Sequence, residues 1–193
     1  MSDDVTGEKT RLRTSLLAQR RARSPRDRAA AAEAIALHAS ALPALARASR
    51  VAAYLSMPSE PGTAPLLQWL ADRQVPVLLP VSRPDRSLTW VVHESDAVRA
   101  GALGVPEPVG TALGPDALAT CDIALVPALA VDHAGHRLGR GAGYYDRALA
   151  DFGGVVCALV FEDELLPQVP HEPHDRSVDL VLTPAGLFRP LRA

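Results

Sequence analysis

Apolar runs and amphipathic segments alternate along this chain. Runs of apolar residues, each bounded by proline, glycine or polar residues, predict buried β-strands over 50–56, 75–81, 87–93, 123–131, 154–161 and 177–183. Apolar residues at helical spacing predict helices over 8–21, 24–40 and 63–72, and a short helix that ends near Ala150. The alternation of strands with helices predicts an α/β domain with a mostly parallel sheet that is covered on both faces.

Turn and capping residues refine the limits of these elements. Ser24-Pro25 predicts an N-cap followed by proline at the first helical position. The segment 101–108 is too rich in proline for regular structure, so we predict a loop there. We expect a single domain over 1–193, with residues 1–7 disordered because they are polar.

A glycine-rich segment follows the longest apolar run and precedes a helix. Gly139, Gly141 and Gly143 stand at alternate positions, which allows positive φ angles and a close approach of the backbone to a ligand. A loop of this kind directs successive N–H groups at one point, and the following helix adds the positive end of its dipole. The same glycine spacing also occurs in plain turns, so this pattern alone leaves both interpretations open.

Charged residues around the glycines favour a phosphate site. Arg137 and Arg140 carry forked donors that suit phosphate oxygens. Asp146, one turn into the predicted helix, is placed to hold Mg²⁺ while substrate phosphates complete its coordination. Together these residues predict a site for a metal-bound polyphosphate.

The N-terminal segment between Lys9 and Arg28 is strongly basic. It is open to three interpretations: an arm that grips RNA, a solvated helix face, or a phosphate site. Lys9 and Arg13 are four residues apart, so on a helix they share one face and are able to close on one phosphate group.

Two acidic residues stand at the ends of predicted strands. Glu60 follows the strand over 50–56, at the edge where open α/β sheets bind ligands, although a solvated loop glutamate is the plainer interpretation. Asp179 interrupts the apolar run over 177–183 and needs a partner, a metal ion or water, unless it lies at the surface.

The glycine-rich segment closely resembles the signature of the 5-formyltetrahydrofolate cyclo-ligase family, also called 5,10-methenyltetrahydrofolate synthetases. The matching residues are Arg137-Leu-Gly-Arg-Gly-Ala-Gly-Tyr-Tyr-Asp-Arg147, and Lys9-Thr-Arg-Leu-Arg13 matches the Lys-x-x-Leu-Arg motif near the family's N-terminus. The resemblance runs from Lys9 to about Thr183. It implies a three-layer αβα Rossmann-like fold and the ATP-dependent conversion of 5-formyltetrahydrofolate to 5,10-methenyltetrahydrofolate, with release of ADP and phosphate.

The resemblance also implies roles for individual residues. ATP binding is implied for Lys9, Arg13, Arg137, Leu138, Gly139, Arg140, Gly141, Ala142, Gly143, Tyr144 and Tyr145. Binding of the folate is implied for Leu55, Glu60 and Tyr144, catalysis for Arg140 and Tyr144, and binding of Mg²⁺ for Asp146 and Asp179 together. The family often has an aromatic residue before a Pro-x-Pro loop, where this chain has Leu103 and Val105, and we leave Glu107 out of the site. We expect the pair His174-Asp175 to be structural.

The sequence favours neither a zinc site nor a disulfide bond. His133 and His136, and likewise His171 and His174, are spaced by three, but the sequence offers no clear third or fourth ligand. We expect Cys121 and Cys157 to be buried, reduced thiols because both lie at or inside apolar runs.

The totals exclude several classes of protein. The 48% hydrophobic and 22% charged residues fit a globular protein. Its net charge of −2 means that it lacks the bulk positive charge that favours binding to nucleic acids or membranes. We expect a cytosolic monomer whose partners are 5-formyltetrahydrofolate and ATP. The alternatives are a folate- or nucleotide-binding regulatory module without turnover, an RNA-binding protein, and an enzyme of sugar phosphates or CoA on a similar sheet.

Overall fold

The computed structural model describes residues 2–94, 97–101, 104–172 and 175–191. Its helices are α1 (Ser2–Ala22), α2 (Pro25–Ser40), α3 (Pro43–Ala46), α4 (Ala64–Asp72) and α5 (Tyr144–Ala148). Its strands are β1 (Val51–Ala52), β2 (Val77–Ser82), β3 (Leu88–Val92), β4 (Val98–Ala100), β5 (Pro106–Pro108), β6 (Ala112–Leu113), β7 (Ile123–Pro127), β8 (Ala130–Asp132), β9 (Arg137–Leu138), β10 (Val155–Leu159), β11 (Leu165–Leu166), β12 (Leu180–Thr183) and β13 (Gly186–Phe188).

One eight-stranded sheet organises the chain, in the order β13-β12-β10-β7-β1-β2-β3-β6. The five central strands from β12 to β2 are mutually parallel, whereas β13, β3 and β6 join the edges antiparallel. The predicted α/β fold with a mostly parallel sheet is therefore confirmed. The strands are buried on both faces, which explains why they are continuous apolar runs.

Two apolar cores lie on opposite faces of this sheet. One core packs α2 and α4 against the sheet, with Ile35, Leu66 and Leu70 among its buried members. The other places Trp90 and Phe152 beneath α5 and a 3₁₀ turn over Pro115–Thr120. Helices thus cover both faces, as a three-layer fold requires. Within the described ranges, no helix is both long enough and apolar enough to cross a membrane.

The helix starts agree with the sequence at one position and differ at another. Ser24 caps α2 by accepting a hydrogen bond from the backbone N–H of Asp27, and Pro25 takes the first helical position, as predicted. Helix α1 begins at Ser2, so disorder was the wrong expectation for residues 2–7. Once its apolar side is anchored by Leu16, the helix extends toward the N-terminus because each added residue gains a hydrogen bond without a new nucleation cost.

Two strand predictions also change. The apolar run over 123–131 divides into β7 and β8, because the chain leaves the main sheet after Pro127 and pairs with β9 and β11 instead. The proline-rich segment is not all loop, since Pro106–Pro108 pairs antiparallel with β4. Proline is tolerated in this small two-stranded sheet because an edge strand leaves alternate N–H positions unpaired.

Both cysteines are free and buried, as predicted. Burial raises the pKa of Cys121 to about 11 and that of Cys157 to about 12, so both thiols remain protonated near neutral pH.

Candidate active site

The glycine-rich loop joins β9 to α5 at the carboxyl edge of the parallel sheet. Gly141 and Gly143 have φ angles of 98° and 74°, so the predicted left-handed backbone is confirmed at these two glycines. Gly139 has no such angle, but a Cβ there would lie only 3.2 Å from Arg137 Nη1. Helix α5 is only five residues long, so the backbone of the loop carries most of the site and the helix dipole adds little.

Arg137 fixes the position of this loop through side-chain hydrogen bonds. Its guanidinium is buried, with Nη1 donating to the carbonyl of Pro127 at 3.3 Å and Nη2 donating to Asp146 Oδ1 at 2.5 Å. The end of β7, the loop and the first turn of α5 are thereby joined through one side chain. A charge-assisted pair of this kind holds Asp146 at the wall of the pocket that the loop encloses.

Most of the residues that the sequence singled out line this pocket. They are Leu55, Glu60, Arg137, Gly139, Arg140, Gly141, Ala142, Gly143, Tyr144, Tyr145 and Asp146. Apolar side chains that include Met57, Leu88 and Leu129 form much of the remaining wall. Val105 also lines it, at the position where the family often carries an aromatic residue, whereas Leu103 lies outside the described residues.

Glu60 connects the predicted folate residues with the glycine-rich loop. It is buried, Oε2 accepts a hydrogen bond from the backbone N–H of Met57 at 2.9 Å, and Oε1 accepts one from Arg140 Nε at 3.2 Å. The interpretation of Glu60 as a solvated loop residue is therefore wrong. The side chain of Arg140, which also lines the pocket, remains 38% exposed.

The two tyrosines at the start of α5 differ in environment. Tyr144 donates a hydrogen bond to the carbonyl of Arg83 at 3.3 Å, which ties α5 to the loop after β2. Tyr145 lies deeper, and burial raises the pKa of its hydroxyl, with the negative charge of Glu60 adding to the effect. The Tyr145 hydroxyl therefore keeps its proton near neutral pH, whereas Tyr144 serves as the tie between α5 and the loop after β2.

Arg13 and Lys9, on one face of α1, reach different parts of the molecule. Arg13 Nε donates to the carbonyl of Gly139 at 2.9 Å, so Arg13 lies directly on the glycine-rich loop. Lys9 Nζ instead contacts Glu172 Oε2 at 2.8 Å and Asp175 Oδ2 at 2.6 Å. Burial alone would lower the Lys9 pKa, but the two carboxylates outweigh it and raise the pKa above its ordinary value.

Besides Lys9 and Arg13, two more predicted site residues are absent from the pocket wall. The side chain of Leu138 is buried against Leu16 and Leu129, so it does not face a ligand. Asp179 precedes β12 at the amino edge of the sheet, where its Oδ2 accepts a hydrogen bond from the backbone N–H of Val156 at 2.8 Å. Asp146 is held at the opposite, carboxyl edge. The prediction that these two carboxylates share one Mg²⁺ is therefore wrong.

Asp132 is a buried anchor that the sequence reasoning missed. Its Oδ1 accepts hydrogen bonds from the backbone N–H groups of Ala134 and His136, and its Oδ2 from that of Val169. Burial would raise the pKa of Asp132, but these hydrogen bonds lower it overall. An aspartate directly after an apolar run was the available signal.

Histidines pair differently from their sequence spacing. His136 stacks on His171, with ring centroids 3.4 Å apart and planes inclined by 5°. Asp132, His136 and His171 offer metal-ligand atoms within 4.8 Å of one another, but Asp132 Oδ2 already lies 3.0 Å from His136 Nδ1. His174 lies outside the described residues. Asp132 accepts backbone hydrogen bonds from His136 and Val169, and His136 stacks on His171, so we regard the three side chains as a loop anchor.

Similarity to known proteins agrees with this geometry. The model of the 5-formyltetrahydrofolate cyclo-ligase family matches residues 5–184. A 5-formyltetrahydrofolate cyclo-ligase of Mycolicibacterium smegmatis is 42% identical over 183 residues, covering 91% of this chain and 93% of that protein. The Escherichia coli enzyme of the same name is 29% identical over 177 residues, covering 88% and 97% respectively.

A solved structure extends the similarity to three dimensions. The NMR structure of 5,10-methenyltetrahydrofolate synthetase from Aquifex aeolicus matches with a TM-score of 0.80 at 26% sequence identity, covering 96% of this chain and 94% of that one. The family model, these relatives and the shared fold lead to one conclusion: the chain belongs to the 5-formyltetrahydrofolate cyclo-ligase family.

Proposed function

We propose that this protein uses ATP to close 5-formyltetrahydrofolate into 5,10-methenyltetrahydrofolate, releasing ADP and phosphate. The observation that carries the proposal is the contact between Glu60 and Arg140, which joins the predicted folate residues and the phosphate loop in one pocket. Two substrates that react with each other need such a shared pocket.

The chemical difficulty lies in the formyl group, which is amide-like and a poor electrophile. Its oxygen attacks the γ-phosphorus of ATP, and the bond from that phosphorus to the ADP oxygen breaks. N10 of the same folate then attacks the activated carbon, loses its proton, and phosphate leaves with the former formyl oxygen. Because N10 belongs to the same molecule, ring closure benefits from a high effective concentration.

The protein's part in this reaction is positioning and charge neutralisation. The backbone of 139–143 and the guanidinium of Arg13 surround the phosphates, and Arg140 reaches the transferring phosphoryl group from the open side. Leu55 and Tyr144 bind the folate, and Glu60 accepts hydrogen bonds from it. Lys9 joins the phosphate site only if ATP draws it away from Glu172 and Asp175, because both carboxylates hold its ammonium group.

Of the two predicted Mg²⁺ ligands, Asp146 is the one that lies at this site. One carboxylate at the pocket wall suits an ion that completes its shell with phosphate oxygens and water. When bound, the ion neutralises charge on the phosphates. The test is calorimetric titration of ADP with and without Mg²⁺: Asp146→Asn should abolish the gain in affinity that Mg²⁺ gives the unmodified protein.

Turnover itself is tested with purified protein, 5-formyltetrahydrofolate, ATP and Mg²⁺, following methenyltetrahydrofolate by its near-ultraviolet absorbance. We expect a rise that depends on both ATP and Mg²⁺. Folate binding without any rise would instead favour the regulatory binding module. The absence of both folate binding and turnover would overturn the proposed function. We also propose that the protein is a cytosolic monomer. Light scattering of the purified chain measures its molar mass and so tests the oligomeric state.

A further inference from the structure

Arg20 is a fully buried arginine on α1 that lines the same pocket. Its Nε and Nη2 donate to Glu164 Oε1 and Oε2 at 2.7 and 2.8 Å, and Nη2 also donates to the carbonyl of Ala128 at 2.5 Å. Its Nη1 is buried and has no hydrogen-bond partner among the described residues. A guanidinium held this firmly, with one nitrogen left over, calls for an explanation because an unpaired buried donor is costly.

Tyr54 brings a second unpaired group to this pocket. Its hydroxyl is buried and, within the described part of the chain, makes no hydrogen bond. Burial raises the pKa of Tyr54 well above its ordinary value, so the hydroxyl keeps its proton and remains a donor. Arg20, Tyr54 and Glu60 all line this one pocket, so the two unpaired donors and the carboxylate face a shared space.

The charge of Arg20 limits what these donors are able to bind. Glu164 lies against the guanidinium in a bidentate pair, so the two side chains together carry no net charge. A phosphate or carboxylate would gain little there and would stand near the carboxylate of Glu164. A neutral carbonyl oxygen accepts two hydrogen bonds without bringing charge into the apolar wall.

We propose that Arg20 and Tyr54 bind the ring carbonyl of the folate's bicyclic head and select ligands that carry it. The inference rests on the proposed function, because that function supplies the ligand. The pyrimidine ring of the folate head is flat, its carbonyl adjoins a ring N–H that is followed by an amine, and Glu60 is an acceptor in the same pocket. Two donors and one acceptor thus match the polar edge of the ring, while the phosphates stay at the glycine-rich loop.

The test compares two ligands that differ at this carbonyl. 5-Formyltetrahydrofolate and its 2,4-diamino counterpart, in which an amine replaces the ring carbonyl and the adjoining ring nitrogen loses its hydrogen, are titrated calorimetrically without ATP. We expect the unmodified protein to prefer the carbonyl ligand by about tenfold or more, because a site with unpaired donors rejects a ligand that lacks the acceptor.

Two variants remove the donors separately. Tyr54→Phe deletes one hydroxyl, and Arg20→Met combined with Glu164→Gln removes the guanidinium without leaving a buried carboxylate unpaired. Each should weaken binding of 5-formyltetrahydrofolate by about three- to tenfold and reduce the preference between ligands, with ADP affinity unchanged. Trp90→Phe is the matched control, because Trp90 Nε1 is also a buried, unpartnered donor, but Trp90 is absent from the described pocket wall.

The outcomes separate this inference from the proposed function. If both variants melt at the same temperature as the unmodified protein and keep its ligand preference, the role of Arg20 and Tyr54 is overturned, even if turnover is normal. Selective binding of the carbonyl ligand without turnover would support the inference and reject the enzyme. If the unmodified protein binds neither ligand, both fail. Should the double variant unfold, Tyr54→Phe decides alone, since it only removes a buried oxygen.

Discussion

The two edges of the parallel sheet both carry acidic residues, but they use them differently. At the amino edge, Asp122 Oδ2 accepts hydrogen bonds from the backbone N–H and hydroxyl of Ser49, and Asp179 accepts one from the backbone of Val156. At the carboxyl edge, Glu60 and Asp146 pair with arginines in the pocket. The carboxylates named at the amino edge thus accept from backbone and hydroxyl donors, whereas those at the carboxyl edge also hold the guanidinium groups of pocket arginines.

Strand direction explains this difference. Strands of a parallel sheet all start at the amino edge, where nearby N–H groups need acceptors, and carboxylates supply them. At the carboxyl edge the chain leaves the sheet in loops, so side chains converge around an open space. An aspartate beside a strand becomes a site residue only if it lies at the second edge.

The largest expected effect contrasts Asp146 with Asp179. Asp146→Asn should lower kcat/KM by about 100-fold, because Arg137 loses its charged partner and the proposed Mg²⁺ site loses its carboxylate. Asp179→Asn should leave kcat/KM within about twofold and cost about 1–2 kcal/mol of the free energy of unfolding. The absorbance assay and chemical denaturation measure the two quantities. A reversed order would show that the edges do not divide the roles in this way.

Asp132 sharpens the comparison, because it is the last residue of β8 yet binds backbone N–H groups. Asp132→Asn should cost about 2 kcal/mol of unfolding free energy near neutral pH. The folded pKa lies below the ordinary 3.8, so the carboxylate stabilises the fold above that pH, and the contribution is lost as pH falls through the folded pKa.

Denaturation of Asp132→Asn between pH 3 and neutral checks this sign. The gap to the unmodified protein should narrow toward acid. Asp116→Asn, at an exposed position of the 3₁₀ turn, is the control and should change the free energy of unfolding by less than about 0.5 kcal/mol. A constant gap across the pH range for Asp132→Asn would mean that the charge of this carboxylate does not matter.

Alanine substitutions of glycines at the two edges should differ in their cost in unfolding free energy, by less than the effects above. Gly141→Ala forces a side chain onto a φ of 98°, beside the guanidinium of Arg13, and should cost about 1–2 kcal/mol. Gly153→Ala, just before β10, meets no described atom within 4 Å and should be neutral. Melting temperatures and ADP affinity report both. Equal losses in the two variants would contradict a special backbone in the loop.

The smallest effect concerns the cysteines. With thiol pKa values of about 11 for Cys121 and about 12 for Cys157, both should react slowly with a thiol reagent at pH 8. Cys121, nearer the amino edge, should react before Cys157. Chemically denatured protein, in which both thiols are exposed, gives the reference rate. Fast labelling of the folded protein would show that this edge opens readily.

Features with short-range causes could be predicted from the sequence. Ser24 and Pro25 begin α2 through a cap that involves only neighbouring residues. Gly141 and Gly143 adopt left-handed backbone because no Cβ prevents it, and apolar runs predict buried strands because both faces are covered. The family resemblance then supplied Leu55 and Glu60, which do line the pocket.

The tertiary structure alone decided which distant side chains meet. Arg20 and Glu164 are 144 residues apart, and Lys9 lies 166 residues from Asp175, so no local pattern links them. The family resemblance implied that Asp179 joins Asp146, whereas the folded sheet places the two carboxylates at opposite edges. That assignment depends on the path of every crossover, which packing of the whole sheet determines.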